Sequence, residues 1–204
     1  MQVLPIKSAE SYPWLLQKHY AKRIPSISYA FGLYDGIDLV GIVTYGMPAS
    51  PFLCMGVCGK ENKHLVIELN RLCIDSNNKN AASILVSKSL QLLPKPMVVV
   101  SYADKAQGHV GYVYQACNFL YTGETKERTD MAGEDGCHSR HNKGDSENRV
   151  FRSAKHRYVF FVGSKSQKNN LMKALNYLVK PYPKGDAKRY DAGGSVQTQS
   201  LLFI

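Results

Sequence analysis

The chain has 204 residues, of which 44% are hydrophobic, and this is enough to bury the core of one globular domain. The first residues have no long apolar run typical of a signal peptide, and no window has the roughly 18 apolar residues that a membrane span needs. The formal net charge of +10 favours an anionic partner, such as nucleic acid or a phosphorylated cofactor, with a merely soluble cationic protein as the alternative. Five cysteines form an odd set that fits a reducing compartment, so we expect a cytoplasmic protein. We expect one domain over 1–190 and a loose tail over 191–204.

The first predicted element is a helix that Ser11 caps, with Pro13 in its first turn. It ends at His19 and Tyr20, before a proline that cannot continue a helix. A histidine suits the negative end of the helix dipole, so the position alone indicates an ordinary helix end.

Two segments rich in aromatic and β-branched residues follow, at 28–34 and 39–45, and the Asp-Gly pair at 35–36 predicts that they form a β-hairpin. We interpret the residues after the hairpin as a loop that contains Cys54 and Cys58. Their spacing is wider than that of the usual zinc-binding pair, and no second pair follows in register, so we expect no metal there.

A longer strand is predicted over 64–75, and its apolar residues change phase after Leu69. Such a change indicates a β-bulge near Asn70 and Arg71, because side chains alternate between the two faces of a strand. The bulge would splay this strand from its neighbour and open a slot.

A helix and a second strand come next, and together they predict a parallel βαβ unit with a right-handed crossover. The helix has apolar residues at helical spacing from 82 to 93, and the strand over 97–101 is a continuous apolar run, typical of a strand covered on both faces. Open α/β sheets bind ligands at the carboxyl ends of their parallel strands. The polar side chains expected at these two strand ends are Asn70, Arg71, Asp75, Ser101, Tyr102 and Asp104.

The start of the same helix is a candidate anion site, because its free backbone N–H groups point outward there. Asn80 is a good cap, Ser83 falls in the first turn and Lys79 lies alongside. The alternative is that every helix has such an end. A short helix with Tyr114 on its inner face follows the second strand, and this tyrosine is either a core residue or one whose hydroxyl reaches the strand ends.

The segment 122–150 is polar and charged, and a loop of this length in one domain is usually functional or mobile. Cys137, His138 and His141 lie within it. Flexible loops carry such residues without binding a metal, so we expect no metal here either.

The last predicted elements are a strand over 156–163 and a helix over 167–179. Between Arg149 and Arg189 there are eleven Lys and Arg residues and one acidic residue, which indicates contact with a phosphate backbone or, alternatively, a solvated basic face. Tyrosines are interleaved with these charges and are able to stack on an extruded base. The residues that we expect to contact nucleic acid are Arg149, Arg152, Lys155, Arg157 and Lys184.

The order of elements resembles the GCN5-related N-acetyltransferase-like fold. That resemblance implies a single-domain mixed sheet flanked by helices, of the α+β or α/β class, in which two neighbouring parallel strands diverge around an acyl donor. The sequence departs from the fold at 76–83, where SNNKNAAS lacks the glycines of the usual pyrophosphate-binding loop. This departure argues against an ordinary acyl-CoA donor loop.

Seven segments carry a closer resemblance: HYAKR at 19–23, FGLYDG at 31–36, VGIVTYGMP at 40–48, ELNRL at 68–72, KNAAS at 79–83, SYADKAQGHVGYVYQACNF at 101–119 and YPKG at 182–185. These segments resemble the bacteriophage Mom family of DNA adenine modification proteins. The resemblance runs from about 14 to 185, and the block at 101–119 is its most specific part.

The resemblance implies an acyltransferase-like enzyme acting on double-stranded DNA. It would convert the N6 amine of adenine to a methylcarbamoyl, glycinamide-type adduct that protects phage DNA from restriction. The target amine lies inside a duplex, so we expect the base to be flipped out. The expected donor is an activated acyl or aminoacyl group, and the residues leave open whether it is an acyl-CoA or an aminoacyl ester.

An adenine amine is a poor nucleophile because its lone pair is delocalised into the ring, so it needs a proton acceptor. Asp104 is the predicted base, Tyr114 the predicted acid or donor-holding group, and Arg71 the predicted partner of a phosphate or oxyanion. His19 and Tyr20 match the His-Tyr pair of the family. Close backbone approach to the donor or the base is expected at Gly108, His109 and Gly111.

Two other functions stay open from the residues alone. An ordinary N-acyltransferase acting on a small amine or a protein would bind acetyl-CoA tightly without DNA, and the missing glycines argue against it. A non-catalytic DNA-binding protein would explain the charge, but the polar cluster at adjacent strand ends argues against that function. The residues give no oligomeric state.

Overall fold

The computed structural model describes residues 1–131 and 149–185, which form a seven-stranded mixed sheet with helices on both faces and a separate two-stranded ribbon. The strands are β1 (Gln2–Pro5), β2 (Tyr29–Asp35), β3 (Asp38–Gly46), β4 (Val66–Ile74), β5 (Met97–Asp104), β6 (Leu120–Glu124), β7 (Arg128–Met131), β8 (Arg149–Arg152) and β9 (Lys155–Val162). The helices are α1 (Ser8–Pro13), α2 (Pro51–Cys58), α3 (Ala81–Leu92), α4 (Tyr112–Ala116) and α5 (Lys165–Lys173). The order in the main sheet is β1-β2-β3-β4-β5-β9-β6, and β7 pairs with β8 in the ribbon. The predicted mixed sheet flanked by helices is confirmed.

The parallel pair β4 and β5, joined through α3, is the predicted βαβ unit. The two strands pair only over Val66–Leu69 and Val98–Ser101, and beyond these residues β4 continues along β3 while β5 continues along β9. The β3–β4 register shifts between Thr44 and Tyr45, which leaves Asn70 as the extra residue of a bulge. The predicted bulge and the divergence of the two strands are therefore confirmed.

Two hydrophobic cores hold the layers together. One lies against α3 and includes Leu85 and Phe119, and the other lies against α2 and α5 and includes Val57 and Leu171. Alternate residues of the 97–101 run enter the two cores, and fully burying one large aliphatic side chain contributes about 1.5–3 kcal/mol. Strand β5 is therefore the fixed centre of the sheet, covered on both faces as predicted.

The first helix begins earlier than the sequence predicts. It starts at Ser8 because the Glu10 carboxylate accepts a hydrogen bond at 2.7 Å from the backbone N–H just before the helix. Ser11 is not the cap: it is buried inside α1, where its hydroxyl donates to the Ser8 carbonyl at 2.6 Å. Pro13 is the last residue of α1, and a π-helical turn over Trp14–Lys18 follows.

Helix α2 occupies a segment that the sequence analysis assigns to a loop. Pro51 stands at its start, where the fixed φ of proline suits a first helical turn. Cys54, Val57 and Cys58 face the core at helical spacing, and each is at most 5% exposed. Burial raises the pKa of the Cys58 thiol to about 11, as expected of a core cysteine.

The hairpin of β2 and β3 is confirmed, as is the final strand, although α5 ends at Lys173 rather than 179. The short edge strands β1 and β6 were not predicted, nor were the ribbon strands β7 and β8. Strand β7 and the start of β8 lie in the segment 122–150, which was predicted as a loop. The tail over 191–204 and Cys137, His138 and His141 lie outside the described residues. Within 1–131 and 149–185, no helix is long and apolar enough to cross a membrane, and no three His, Cys, Asp or Glu side chains group as metal ligands.

Candidate active site

The bulge at Asn70 is held by side-chain contacts to neighbouring segments. The Thr44 hydroxyl donates a hydrogen bond to Asn70 Oδ1 at 2.6 Å, and Asn70 Nδ2 donates to the Ser26 carbonyl at 2.8 Å. Gly46, at the end of β3, has no room for a side chain, because a Cβ there would lie 1.7 Å from the Ser26 carbonyl oxygen. The opening between β4 and β5 is therefore a fixed feature of the backbone.

Arg71 follows the bulge and lies at this opening. Its Nη1 donates to the Asn70 carbonyl at 2.6 Å, whereas its Nε is buried without a hydrogen-bond partner in the described parts of the chain. Burial lowers the pKa of Arg71, and the charge of Arg23 acts in the same direction. Leaving a buried donor unpaired costs about 1–3 kcal/mol, so this N–H is ready for an acceptor oxygen of a ligand.

Glu68 is the residue of the site that the sequence analysis missed. It lies on β4 between two core residues, so its side chain projects from the opposite face of the strand. Burial raises the pKa of the Glu68 carboxyl to about 7, although the positive charge of Arg71 opposes the increase. A carboxyl with this pKa is half ionised near neutral pH and suits a proton acceptor. The available signal was a lone acidic residue in an otherwise apolar segment.

The sequence left open whether Tyr114 is a core residue or one whose hydroxyl reaches the strand ends, and both descriptions apply. Its ring packs in the core against Phe119 and Tyr158, with ring centroids 5.4 and 5.3 Å away. Burial raises the pKa of Tyr114 to about 12, while a hydrogen bond with Ser101 acts in the opposite direction. Its hydroxyl thus keeps its proton at neutral pH and lies at the end of the paired part of β5.

His19 and Tyr20 lie next to Arg71. Their rings stack with centroids 4.4 Å apart, and the ring of His109 meets that of Tyr20 edge-on at 6.1 Å. Burial and, to a smaller extent, the Arg71 charge together lower the pKa of His19 to about 3. An ordinary helix-end histidine would be charged and exposed. His19 is buried and neutral, and its Nδ1 accepts a hydrogen bond at 3.0 Å from the backbone N–H of Ala21.

Both carboxylate oxygens of Asp104 accept hydrogen bonds from neighbouring residues of the protein. Its Oδ1 accepts hydrogen bonds from the Ala106 backbone N–H at 3.0 Å and the Ser153 hydroxyl at 2.6 Å, and its Oδ2 pairs with the Lys155 ammonium. Burial acts to raise the pKa of Asp104, but the hydrogen bonds from Lys155 and Ser153 prevail, and the pKa lies below its ordinary value. Asp104 is therefore a weaker proton acceptor than Glu68, and it fixes the turn after β5.

Tyr20 links the members of this cluster. Burial raises the pKa of Tyr20, the Asp104 charge raises it further, and the Arg71 charge lowers it. The pKa of Tyr114 responds first to burial and then also to Tyr20 and Glu68. The charges of Arg71, Asp104 and Glu68 and the hydroxyls of Tyr20 and Tyr114 thus act on one another, although they come from separate segments of the chain.

The residues predicted to hold a donor fall in two places. At the start of α3, Lys79 and Asn80 are exposed, and the Ser83 hydroxyl donates to the Asn80 carbonyl at 2.9 Å. Gly111 belongs to the turn before α4, where its φ is +79° and a Cβ would lie 2.5 Å from the Tyr158 ring. The same turn contains Gly108, in the left-handed region, and His109, which contacts Tyr20.

The residues predicted to bind nucleic acid also divide into two groups. Lys155 pairs with Asp104, and Arg157 donates to Thr122 Oγ1 at 2.9 Å while its guanidinium lies 3.5 Å from the Tyr177 ring centroid. These two side chains are committed to contacts inside the protein. Lys184 is exposed, Arg152 is partly exposed and Arg149 lies on β8, and a phosphate contact by these residues stays a prediction.

Diverging parallel strands leave room for a donor and an acceptor to meet, and here a near-neutral carboxyl, an unpaired arginine donor and a protonated tyrosine stand at that opening. Such an arrangement suits the transfer of a group to a nucleophile. The chain belongs to the Mom protein family, whose model matches residues 1–184.

A curated relative is the methylcarbamoylase Mom of Escherichia phage Mu, 29% identical over 189 residues, which covers 82% of this chain and 77% of that protein. Among solved structures, an N-acetyltransferase from Staphylococcus aureus Mu50 is 13% identical with a TM-score of 0.47, covering 79% of this chain and 98% of that one. The Bacillus subtilis acetyltransferase in complex with CoA is 14% identical with a TM-score of 0.45, covering 78% of this chain and 97% of that one.

Proposed function

We propose that this protein modifies adenine in double-stranded DNA, converting the N6 amine to a methylcarbamoyl-type adduct that protects phage DNA from restriction in the host cytoplasm. Membership of the Mom family and similarity to a protein named a methylcarbamoylase support this function. The formal net charge of +10 suits a polyanionic substrate.

The observation that carries the proposal is the pair Glu68 and Arg71 at the opening of β4 and β5. Burial brings the pKa of Glu68 to about 7, and Arg71 keeps a buried N–H without a partner. One side chain is thus matched to accept a proton, and the other is matched to bind an oxyanion. Both are needed when an amine attacks an activated donor.

In the proposed transfer, the N6 nitrogen forms a bond to the activated carbon of the donor as the bond to the leaving group breaks. The amine proton passes to Glu68 as the new bond forms. Tyr114, which holds its proton because burial raises its pKa to about 12, donates that proton to the leaving group. Proton exchange with solvent then restores both side chains.

The neighbouring residues have positioning roles in this proposal. Arg71 binds the developing oxyanion or a donor phosphate, and the stacked pair of His19 and Tyr20 forms a wall of the opening. Asp104 holds the turn that presents His109 to Tyr20, because the His109 backbone N–H donates to the Asp104 carbonyl at 3.1 Å. We therefore propose Glu68 as the base in place of Asp104, which the sequence predicted.

The donor in this proposal is an activated acyl or aminoacyl group. Its anionic part would meet Lys79 and the backbone N–H groups at the start of α3, near Asn80 and Ser83. The turn with Gly108 and Gly111 would lie close to its reactive end, because the same turn places His109 against Tyr20. Measuring the binding of a CoA thioester and of an aminoacyl ester to the protein would distinguish between these two donors.

The experiment is expression of the chain in a bacterium, followed by mass spectrometry of the nucleosides of the genomic DNA. We expect a heavier deoxyadenosine and resistance of the DNA to several restriction endonucleases. Unmodified DNA from cells containing well-folded protein would refute the function. Tight acetyl-CoA binding with acetylation of a small amine, independent of DNA, would favour an ordinary N-acyltransferase instead.

A further inference from the structure

Arg23 lies on the segment that runs past the bulge of β4, close to Arg71. The Ser26 carbonyl accepts a hydrogen bond at 2.8 Å from the Asn70 side chain, and Tyr20 lies within reach of the Arg71 charge. Arg23 is three residues from both Tyr20 and Ser26, so its Cα is within roughly 11 Å of the Cα of each. The segment therefore keeps half-buried Arg23 beside the bulge that carries half-buried Arg71.

Neither guanidinium has an ion-pair partner in the parts of the chain that the structure describes. The ion pairs formed there join Lys18 to Asp75, Lys105 to Glu124, Lys155 to Asp104 and His156 to Glu124. Arg71 uses Nη1 for the Asn70 carbonyl, and its buried Nε has no acceptor among the same residues. Two positive charges thus come together without a carboxylate between them.

The two charges repel each other, and the repulsion is strong because water screens half-buried charges poorly. Burial lowers the pKa of Arg71, and the charge of Arg23 acts in the same direction. Glu68 offsets only part of this repulsion, because burial raises its pKa to about 7 and leaves it half neutral near neutral pH. An anion that contacts both guanidinium groups would balance the charges and accept the unpaired N–H of Arg71.

We propose that Arg23 and Arg71 form a clamp for a phosphate group beside the opening of β4 and β5. The planar guanidinium matches phosphate oxygens, and a phosphate has enough oxygens to accept hydrogen bonds from two of them. Because Arg71 has five N–H donors, holding a phosphate leaves donors for the developing oxyanion.

The inference rests on the proposed function for the source of this phosphate. A phosphodiester next to the target adenine and a phosphate group of the donor present the same chemistry to the clamp. Two binding measurements distinguish them, and neither needs a donor or a transfer reaction. Inorganic pyrophosphate, followed by thermal unfolding at constant ionic strength, represents a free phosphate. A short DNA duplex, followed by fluorescence anisotropy over a range of salt concentrations, represents the phosphodiester.

The test compares Arg23→Gln with the unchanged protein. We expect the variant to lose affinity on the order of tenfold for at least one probe, because a charge-assisted contact is lost. If the clamp holds a free phosphate, this loss appears with pyrophosphate and the affinity for DNA stays the same. If it holds a phosphodiester, the loss appears with the duplex, and the slope of log K against log salt falls in magnitude by about 0.9. Without either probe, Arg23→Gln should melt at a higher temperature, because the repulsion on Arg71 is gone.

Lys63→Gln is the matched control, because it removes an exposed cation near the other end of β4. Lys63 precedes Val66, and the strand from Val66 to Arg71 is roughly 15 Å long, so both probes should bind as they do to the unchanged protein. Three results would overturn the clamp: full affinity of Arg23→Gln for both probes, an equal loss in Lys63→Gln, or a lower melting temperature of Arg23→Gln without a probe. Unmodified DNA in cells that contain the folded protein would refute the proposed function alone, since binding is measured without transfer.

Discussion

Replacing Glu68 by glutamine should separate stability from activity, because burial holds the neutral form of this side chain. The folded carboxyl has a pKa of about 7, against 4.5 for the free group. As the pH rises above 4.5, the carboxyl ionises first in the unfolded chain, so the unfolded state gains and the free energy of unfolding falls until the pH passes 7. A difference of this size corresponds to about 3 kcal/mol above pH 7. Glutamine does not ionise, so Glu68→Gln removes this loss.

The assay is urea unfolding of both proteins at pH 4 and pH 8.5, together with the rate of DNA modification. We expect similar stability at pH 4 and greater stability of Glu68→Gln at pH 8.5. We also expect loss of activity in the variant, and a modification rate in the unchanged protein that rises with pH to a plateau above about 7. An active Glu68→Gln variant, or one less stable at pH 8.5, would refute the assignment of Glu68 as a half-buried, near-neutral base.

Three further substitutions test other parts of the site. Tyr114→Phe should keep the ring packing and lose about 1 kcal/mol of stability. The modification rate should fall by about 10²–10⁴-fold, because the hydroxyl is the proposed acid. A variant as active as the unchanged protein would remove that role. Asp104→Asn should lower the free energy of unfolding by about 1–3 kcal/mol, and with it the melting temperature, because Lys155 loses its charged partner. An unchanged melting temperature with abolished activity would instead favour Asp104 as the base. Gly111→Ala should cost about 1–3 kcal/mol, since φ is +79° and the new methyl group meets the Tyr158 ring; calorimetry showing no change would contradict the close approach.

The sequence predicted the backbone of the site better than its chemistry. The phase change after Leu69 predicted the bulge at Asn70, and the bulge sets the divergence of β4 and β5. Periodicity reports which face of a strand is buried, and this was enough to place Arg71 at an opening. Periodicity does not report how deeply a carboxyl is buried, so the pKa of Glu68 could not be predicted from it.

Long-range partners explain the other differences. Asp104 follows a buried strand, but its partners Ser153 and Lys155 lie about fifty positions further along the chain and pair with it only after β9 joins β5. The basic stretch predicted a charged surface, yet Arg157 stacks on Tyr177 within the protein. Composition gives the number of charges, and only tertiary structure decides which of them face a partner.

The limited pairing of β4 with β5 divides the sheet into two plates. Arg71 and Glu68 belong to the plate of β1 to β4, whereas Ser101 belongs to the plate of β5, β9 and β6. The plates are joined in the sheet only along Val66–Leu69 and Val98–Ser101. Glu68 and Ser101 lie on this seam, opposite Val100 and Leu69, whereas Arg71 and Asp104 lie beyond it. A small rotation about the seam would therefore change the separation of Arg71 from Asp104 and leave that of Glu68 from Ser101 nearly unchanged.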